Sequence, residues 1–369
     1  MVRLSKRLDH DDNEVEACVS LTLDGAHILI TGGTGSFGKR FVSRVLETWK
    51  PERLIVFSRD ELKQFQMRQQ FPQDRYPHLR LLIGDVRDRE RLFRVMDGVD
   101  LIIHAAAMKQ VPTAEHNPLE AVKTNIMGAA NLIDAAIDRN VRRVIALSTD
   151  KAANPVNLYG ATKLCADKLF VAANATSLHR TRFSVVRYGN VVGSRGSVIP
   201  YFLAQRPTGR ITITDERMTR FLMTLDQSVD FVLQCAERML GGELFVPKIP
   251  SAKVVDIARA AAPDCERDII GIRPGEKLHE TLVPGDEAHL TIEFDDSFVI
   301  QASHPFWNRQ GFLDGRAGTP CPDGFRYSSD TNPWQLGASD LASLVATVEA
   351  DSGFYGLPQP SEPRFILGG

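Results

Sequence analysis

Long hydrophobic runs are absent from this 369-residue chain, and no apolar stretch reaches the roughly 20 residues that a membrane-spanning helix needs. The basic first residues are followed by an acidic stretch at 9–16 and not by the apolar segment of a secretory signal. A net charge of only −2 argues against a general surface for nucleic acid or anionic membranes. The sequence therefore predicts a cytoplasmic protein without nucleic-acid or membrane partners.

Cysteine is also scarce. The five cysteines, at positions 18, 165, 235, 265 and 321, are scattered, odd in number and without the spacing of a metal site. They are typical of reduced thiols in a cytosolic protein, and no metal is expected. The length is sufficient for one large α/β domain with a smaller lobe.

What the chain does contain is an alternation of short apolar strands and helical segments. Strands are expected at His27–Ile30, Leu54–Phe57, Leu79–Ile83, Leu101–His104, Val144–Leu147 and Phe183–Val186. The clearest helix is expected over Pro118–Arg139, which carries an apolar stripe. This alternation predicts an α/β protein with a Rossmann-type, doubly wound parallel sheet.

The alternation breaks down after Tyr188, where turns, single strands and one helix at about 226–239 follow. We therefore expect a smaller, interleaved C-terminal substrate lobe. The predicted division is a mobile tail at 1–24, a Rossmann domain at 25–190 with about 222–245, a substrate lobe at 191–221 and 246–300, and an irregular C-terminal arm at 301–369.

A glycine-rich turn follows the first strand and opens a helix. Its glycines allow a tight turn and a close approach of a pyrophosphate to the helix N-terminus, which is the pattern of a dinucleotide cofactor site. The residues expected to bind the cofactor here are Thr31, Gly32, Gly35, Ser36, Phe37 and Gly38.

The second strand ends at Ser58 and Arg59, where NAD-selective sites usually carry an acidic residue. An arginine suits the 2′-phosphate of NADP, and Lys63 adds positive charge one helical turn later. A solvated loop arginine is the alternative. Asp85 and Val86 follow the third strand and are placed to meet the adenine, unless Asp85 caps the next helix.

Small residues follow the fourth strand. Ala105 and Ala106 allow the backbone to approach the cofactor, and Lys109 is expected to point into the cleft. His104 is expected to be a packed histidine at the strand end and not a catalytic residue.

Tyr159 and Lys163 stand four residues apart and share one face of a helix. A free tyrosine has a pKa near ~10, and a nearby ammonium lowers that pKa. The pair is therefore suited to taking a hydroxyl proton while a hydride leaves the same carbon. The bare spacing is common by chance, so a tyrosine at a helix start beside a solvated lysine is the alternative.

Thr149, Asp150 and Lys151 follow the C-terminal end of a buried strand, where open α/β sheets place their sites. Asp150 and Lys151 supply a second proton donor and acceptor, which a simple alcohol oxidation does not need. A lysine that acts as the base must be neutral, and an aspartic acid that acts as the acid must be protonated. Such a role for Lys151 requires a lowered pKa.

Several segments, in order, resemble the extended short-chain dehydrogenase/reductase superfamily and, within it, the inverting UDP-N-acetylglucosamine 4,6-dehydratases. They are ITGGTGSFG, FSRDELKQ, HAAAMKQVP, STDKAANPVNLYGATK, RYGNVVGSRGSVIP, ITDERMTRF and IGIRPGEKLHE, with YSSDTN at 327–332. The resemblance implies NADP as cofactor, UDP-N-acetylglucosamine as substrate and a homo-oligomer, either a dimer or a hexamer.

The same resemblance implies roles for individual residues. Tyr159 and Lys163 take the redox roles, Thr149 bonds the sugar 4-oxygen, and Asp150 with Lys151 forms the elimination pair. The residues that would hold the uridine diphosphate are Asn190, Arg195, Arg273 and Glu276. The implied product is UDP-2-acetamido-2,6-dideoxy-β-L-arabino-hex-4-ulose, in a pathway to pseudaminic acid or a related surface glycan.

Two other functions stay open. An NAD(P)-dependent sugar-nucleotide 4-epimerase needs the Tyr159–Lys163 pair but has no use for Asp150 and Lys151. A non-catalytic NADP-binding scaffold would bind the cofactor without turnover, and the intact set of Thr149, Tyr159 and Lys163 argues against it.

Overall fold

The computed structural model describes residues 22–177, 180–194, 196–303 and 317–350. Its strands are β1 (His27–Thr31), β2 (Arg53–Ser58), β3 (Leu79–Ile83), β4 (Leu101–His104), β5 (Arg143–Thr149), β6 (Arg182–Tyr188), β7 (Asn190–Val191), β8 (Arg210–Ile213), β9 (Thr219–Met223), β10 (Leu244–Pro247), β11 (Ser251–Lys253), β12 (Glu266–Ile269), β13 (Thr281–Val283), β14 (Thr291–Glu293), β15 (Ser297–Ile300), β16 (Thr319–Pro320) and β17 (Tyr327–Ser328).

The helices are α1 (Ser36–Thr48), α2 (Glu61–Gln70), α3 (Arg89–Val95), α4 (Val111–His116), α5 (Pro118–Val122), α6 (Gly128–Asp138), α7 (Leu158–Ala173), α8 (Val198–Gln205), α9 (Leu225–Arg238), α10 (Val254–Ala261) and α11 (Ala338–Ala350). A π-helical turn covers Lys123–Met127, and 3-10 turns cover Asp150–Ala152, Arg206–Thr208 and Gly285–Leu290.

The centre of the molecule is a ten-stranded sheet in the order β16-β14-β15-β10-β6-β5-β4-β1-β2-β3. Its first six strands in the chain are parallel and follow the Rossmann order β3-β2-β1-β4-β5-β6. Every predicted strand is present, so the predicted fold class is confirmed. The strand order reverses between β1 and β4, and open α/β sheets bind ligands at the carboxyl ends of their strands at such a point.

The predicted helix over 118–139 is present as α5, the π-helical turn and α6. Its apolar stripe, including Ala129, Leu132 and Ala136, is buried in the main core of the same chain. The stripe therefore packs within the chain and supplies no free surface for a second copy. The π-helical turn buries Asn125, whose side chain bonds both backbone groups of Met108 at 2.8 and 3.0 Å.

A second hydrophobic core is formed by α8, β8, α10 and α11. Strands β14 and β15 instead extend the main sheet beside β10, and their apolar residues join the first core. Residues 291–300 thus pack with the Rossmann domain and not with the substrate lobe to which the sequence assigned them. Within the predicted irregular arm, α11 packs against α10. Residues 1–21 of the predicted tail lie outside the described residues.

None of the helices in the described part of the chain combines the length and the apolar character needed to span a bilayer.

Candidate active site

A cavity of about 780 Å³ lies at the carboxyl ends of the parallel strands, between the two hydrophobic cores. Most of the predicted site residues line it: Gly32, Gly35, Ser36, Phe37, Gly38, Ser58, Arg59, Lys63, Asp85, Val86, Ala105, Ala106, Lys109, Thr149, Asp150, Lys151, Tyr159, Lys163, Asn190, Arg273 and Glu276. Arg195 lies outside the described residues.

Among the described residues, Thr31 is the one predicted site residue that does not line the cavity. Its side chain is fully buried, and its hydroxyl lies 2.8 Å from Nδ1 of His104 and accepts the Ala106 N–H at 3.3 Å. Thr31 therefore supports the loop after β4 from inside the sheet. His104 is a packed strand-end residue, as predicted, and burial lowers its pKa to about 3.

The glycine-rich turn needs its glycines for close approach. Gly32 has a φ of +67°, and a Cβ there would lie 2.8 Å from Cα of Ala106. A Cβ on Gly38 would lie 2.3 Å from Cα of Gly33, so the helix α1 starts directly against the turn. Gly35 has no side chain to cap α1, and the N-terminal turn of this helix lines the cavity, where its dipole favours an anion.

Arg59 lies at the end of this cofactor cleft and is 59% exposed. The acidic residue that follows it, Asp60, caps α2 through the Lys63 N–H at 2.9 Å and pairs with the Lys63 ammonium at 2.7 Å. Ser58 is buried, and its hydroxyl accepts a hydrogen bond from Gln64 at 3.0 Å. Arg59 therefore presents an exposed positive charge at this end of the cleft, which Asp60, Lys63 and Asp85 also line.

Asp85 lies across the cleft end from Arg59, at 3.5 Å from its guanidinium. Its stronger partner is Arg87 at 2.7 Å, and although burial opposes the charge, this arginine and Arg59 together lower the pKa of Asp85. The cap of α3 is Asp88 and not Asp85, which removes the alternative interpretation of Asp85.

The cavity wall that carries the predicted catalytic residues, called the catalytic wall below, begins where β5 ends. Thr149 donates a hydrogen bond to Oδ1 of Asp150 at 2.9 Å, and the Lys151 ammonium donates to the same oxygen at 3.0 Å. The second oxygen of Asp150, Oδ2, is buried without a hydrogen-bond partner among the described residues. Asp150 and Lys151 therefore form an ion pair that keeps one carboxylate oxygen free beside the cavity.

Tyr159 lies in the first turn of α7 and lines the same wall. Burial raises the pKa of Tyr159 to about 12, while the Lys151 ammonium and a hydrogen bond with Thr149 lower it. The prediction of a lowered tyrosine pKa is therefore wrong for this structure, because burial outweighs the nearby positive charge. Lys163, one turn later, is also buried, and burial lowers its pKa, partly offset by Asp167.

The pKa of Lys151 also departs from the prediction. Burial lowers it, but the carboxylates of Asp150 at 3.0 Å and Glu280 at 3.5 Å outweigh burial and raise the pKa above its usual range. Lys151 is therefore an ammonium in this structure. Glu280 was missed by the sequence interpretation, although it ends the segment IGIRPGEKLHE, because only Arg273 and Glu276 of that segment were selected.

The far wall belongs to the second lobe. Three polar atoms there are buried without a hydrogen-bond partner among the described residues: Oδ1 of Asn190, Oγ of Ser197 and Oε2 of Glu276. Their residues line the cavity, and buried polar atoms without partners are costly unless a ligand satisfies them. Ser197 precedes α8 without capping it and was also missed from the sequence.

The turn that carries Arg273 and Glu276 is docked onto the catalytic wall. Gly275 has a φ of +81°, and its carbonyl accepts a hydrogen bond from the Asn157 side chain at 2.8 Å. The side-chain oxygen of Asn157 caps α7 by accepting the Gly160 N–H, also at 2.8 Å. One asparagine therefore ties the two walls of the cavity together.

Lys109, predicted to point into the cleft, lines the cavity close to the catalytic wall. Burial and the Lys151 ammonium lower its pKa. Over the described ranges, His, Cys, Asp and Glu side chains form no group of three or more arranged to hold a metal ion.

Comparison with known proteins identifies the family. Residues 28–302 match the family described as "Polysaccharide biosynthesis protein". The chain is 53% identical over 330 residues, 88% of its length and 98% of the relative, to the UDP-N-acetylglucosamine 4,6-dehydratase (inverting) of Campylobacter jejuni. It is 46% identical over 282 residues, 74% of its length and 82% of the relative, to a protein of Rickettsia massiliae named UDP-glucose 4-epimerase.

A solved structure, that of Pen from Bacillus thuringiensis, superimposes with a TM-score of 0.81 at 37% identity and covers 89% of this chain and 99% of that one. The matched regions contain both walls of the cavity and the strand order of the main sheet. The chain belongs to the polysaccharide biosynthesis protein family and, within the extended short-chain dehydrogenases/reductases, to the group of the inverting UDP-N-acetylglucosamine 4,6-dehydratases.

Proposed function

We propose that this protein is an NADP-dependent UDP-N-acetylglucosamine 4,6-dehydratase that inverts C5. The observation that carries the proposal is the Asp150–Lys151 ion pair on the same cavity wall as Tyr159. A 4-epimerase needs only the redox residues, whereas the ion pair provides the second acid and base that water elimination requires.

The first step oxidises C4 of the sugar, and Tyr159 takes the proton of the 4-hydroxyl. The glycine-rich turn with Gly32, Gly35 and Gly38 would hold NADP, which would supply the acceptor for the C4 hydride and the hydride for C6. Because burial raises the pKa of Tyr159 to about 12, its phenolate depends on the Lys151 ammonium and on a hydrogen bond with Thr149, which both lower that pKa. Thr149 also holds the sugar 4-oxygen.

The second step eliminates water across C5 and C6. Asp150 and Lys151 become a neutral acid–base pair when one proton moves from Nζ of Lys151 to Oδ1 of Asp150, two atoms that are 3.0 Å apart. After that shift, neutral Lys151 takes the C5 proton and Asp150 gives its proton to the leaving 6-oxygen. Elimination thus restores the ion pair, and no proton has to come from solvent at this step. A proton from water then reaches C5 from the opposite face and gives the inverted product, while Tyr159 releases to water the proton of the 4-hydroxyl, which closes the proton count.

The uridine diphosphate is placed against the far wall. Asn190, Ser197 and Glu276 offer buried polar atoms to it, and the Arg273 guanidinium suits a diphosphate. The N-terminus of α8 adds a favourable dipole for the negative charge. The name of the Campylobacter relative includes UDP-N-acetylglucosamine, which supports the choice of sugar.

The cofactor choice rests on Arg59, whose exposed guanidinium suits a 2′-phosphate, while the neighbouring Asp60 is engaged with α2 and Lys63. We also propose a homo-oligomer in the cytoplasm, acting at the start of pseudaminic acid or related glycan synthesis. Leu119 of α5 and Met127 of the π-helical turn are apolar and are 70% and 51% exposed, so they offer surface to such an interface. Light scattering measures the mass of the particle.

The test is an incubation of the purified protein with a panel of UDP- and dTDP-hexoses, followed by mass spectrometry of the sugar nucleotides. A dehydratase gives a product lighter by one water, with UDP-N-acetylglucosamine as the preferred substrate. A product of unchanged mass and altered C4 configuration would establish the epimerase instead. Cofactor binding without any turnover would establish the non-catalytic scaffold.

A further inference from the structure

Glu280 is a buried carboxylate that the steps above leave without a role. It is 3% exposed, lines the cavity immediately before β13, and lies with Oε1 3.5 Å from the Lys151 ammonium. Asp150 approaches the same ammonium at 3.0 Å. Nζ of Lys151 is therefore held by two carboxylates, one from each side of the boundary between the Rossmann domain and the later part of the chain.

The charges around Lys151 come from several elements. Arg220 of β9 lies 3.9 Å from Oε1 of Glu280, and Lys277 lies 3.9 Å from Oε2. Both cations therefore lie farther from the Glu280 carboxylate than the Lys151 ammonium does. The remaining titratable groups that act on or with Lys151 are Lys109 from the loop after β4 and Tyr159 from α7.

The backbone of Glu280 is fixed by the segment YSSDTN, a matched motif to which the mechanism gives no task. The Ser329 hydroxyl accepts the Glu280 N–H at 2.9 Å, and the Ser329 N–H donates to the Glu280 carbonyl at 2.9 Å. Ser328 donates to the same carbonyl at 3.2 Å. The Ser329 hydroxyl also lies 2.6 Å from that of Thr219, which precedes Arg220 on β9. These contacts fix both Glu280 and its arginine.

We infer that Glu280 is a positioning residue for water elimination, which it serves by holding Nζ of Lys151 at the cavity wall together with Asp150. This inference rests on the proposed function. A lysine side chain has a flexible four-carbon stem, and a single contact with its sequence neighbour leaves the ammonium several orientations. A second carboxylate on a rigid backbone selects one of them. Proton transfer at C5 depends on that orientation, whereas oxidation at C4 depends on Tyr159.

The test compares Glu280→Gln, Glu280→Asp and wild type as full-length proteins with UDP-N-acetylglucosamine. Rapid-quench mass analysis follows the 4-keto sugar that still carries its 6-hydroxyl and the dehydrated product separately. We expect Glu280→Gln to slow elimination by about 10²-fold, the effect of misplacing a reacting group by about 1 Å, with C4 oxidation retained. Glu280→Asp keeps the charge and should recover part of the rate.

The pH profile provides a readout that a purely structural role would not change. Removing the negative charge at 3.5 Å lowers the pKa of Lys151, so the limb of the elimination profile that belongs to Lys151 should move to lower pH by about one to three units. Glu280→Asp should keep the wild-type limb. A control of the same chemistry is Glu293→Gln, since Glu293 pairs with Lys248 at 2.7 Å on the surface and does not line the cavity.

Two results would overturn the inference. One is an elimination rate and pH profile of Glu280→Gln equal to those of wild type. The other is a parallel loss of C4 oxidation, elimination and UDP affinity in both Glu280 variants, which would show a structural role alone. If Glu280→Gln fails to fold, Glu280→Asp decides by the same separation of the two steps. A wild-type protein that epimerises without losing water would instead reject the proposed function itself, and the inference with it.

Discussion

A Cβ atom on Gly160 would lie 2.1 Å from the carbonyl oxygen of Lys151. The glycine after Tyr159 therefore allows α7 to begin directly against the 3-10 turn that carries Asp150 and Lys151. This contact brings Tyr159 and the Asp150–Lys151 ion pair, which come from two separate elements, onto one wall of the cavity.

Gly160→Ala should therefore push α7 away from the turn. We expect a loss of about 1–3 kcal/mol in the free energy of unfolding, typical of overpacking, and a fall in dehydratase rate of up to about 10²-fold from misplacement of Tyr159. Chemical denaturation and product assays measure the two effects. Gly285→Ala is the control, because its Cβ would meet the Gly324 carbonyl at an ordinary 3.7 Å. Equal behaviour of the two variants would show that the close contact has no consequence.

Tyr159→Phe should abolish the first oxidation. The ring remains, so the packing of α7 is kept, but the group that takes the 4-hydroxyl proton is lost. We expect neither transient NADPH absorbance in stopped-flow experiments nor any 4-keto sugar, with UDP binding intact. A variant that still forms the 4-keto sugar at the wild-type rate would exclude Tyr159 as the base of this step.

Asp150→Asn and Lys151→Ala should damage elimination more than oxidation, although Lys151→Ala also removes the ammonium that lowers the pKa of Tyr159. Both remove one member of the 3.0 Å ion pair, and general acid–base groups contribute about 10²–10⁴-fold. We expect bound NADPH and a 4-keto sugar with its 6-hydroxyl to accumulate, detected by absorbance and by masses of the quenched mixture. Thermal unfolding of both variants controls for the charge left unpaired in the site. If both variants eliminated water at the wild-type rate, a 4-epimerase would replace the dehydratase as the function that the site supports best.

Arg59→Gln should weaken NADP binding and leave NAD binding nearly unchanged. Hydrogen bonds to charged groups contribute enough for a loss of about 10- to 100-fold in NADP affinity. Fluorescence titration with both reduced coenzymes measures it, and Arg94→Gln on the exposed side of α3 is the control. Nucleotide released by denaturing the wild-type protein should be NADP(H). Finding NAD alone would contradict the role given to Arg59.

His104 should make the protein less stable in acid. Burial lowers the pKa of His104 from 6.5 to about 3 in the folded state, so only the unfolded chain takes up this proton between those values. The contribution of neutral His104 to the free energy of unfolding is fully present above pH 6.5. It is lost as the pH falls towards 3, at up to about 1.4 kcal/mol per pH unit. Denaturation at several pH values should show a smaller slope for His104→Gln than for the exposed control His116→Gln. Equal slopes would rule His104 out as the source.

The Rossmann half could be predicted from sequence because its strands are buried on both faces and appear as continuous apolar runs. β1 and β4 are examples, with Ile28, Leu29 and Ile102 fully buried. The second lobe has shorter elements and no such periodicity, so α8 and α10 were not recognised. The antiparallel strands β14 and β15 were placed with the wrong core, since a sequence pattern does not show which sheet edge a short strand joins.

The site could be predicted where a motif determines local geometry, as at Gly32 and in the order Thr149, Asp150, Lys151. The charge states of the site residues could not be predicted from the sequence. The charge state of Lys151 depends on Glu280, which lies 129 positions after Lys151 in the sequence and reaches it only through tertiary structure. The direction of the Tyr159 pKa likewise depends on burial, which the spacing between Tyr159 and Lys163 does not reveal.

The bonds between Ser329 and Glu280 have a consequence for synthesis of the chain. The first six parallel strands of the main sheet are complete at Tyr188, but the anchor of Glu280 leaves the ribosome more than a hundred residues later. A nascent or cleaved product that ends before Ser329 carries all six of these strands but lacks the serine that fixes the backbone of Glu280. Under the role inferred for Glu280, competence for dehydration is acquired late in translation, well after the strands that form the cofactor cleft.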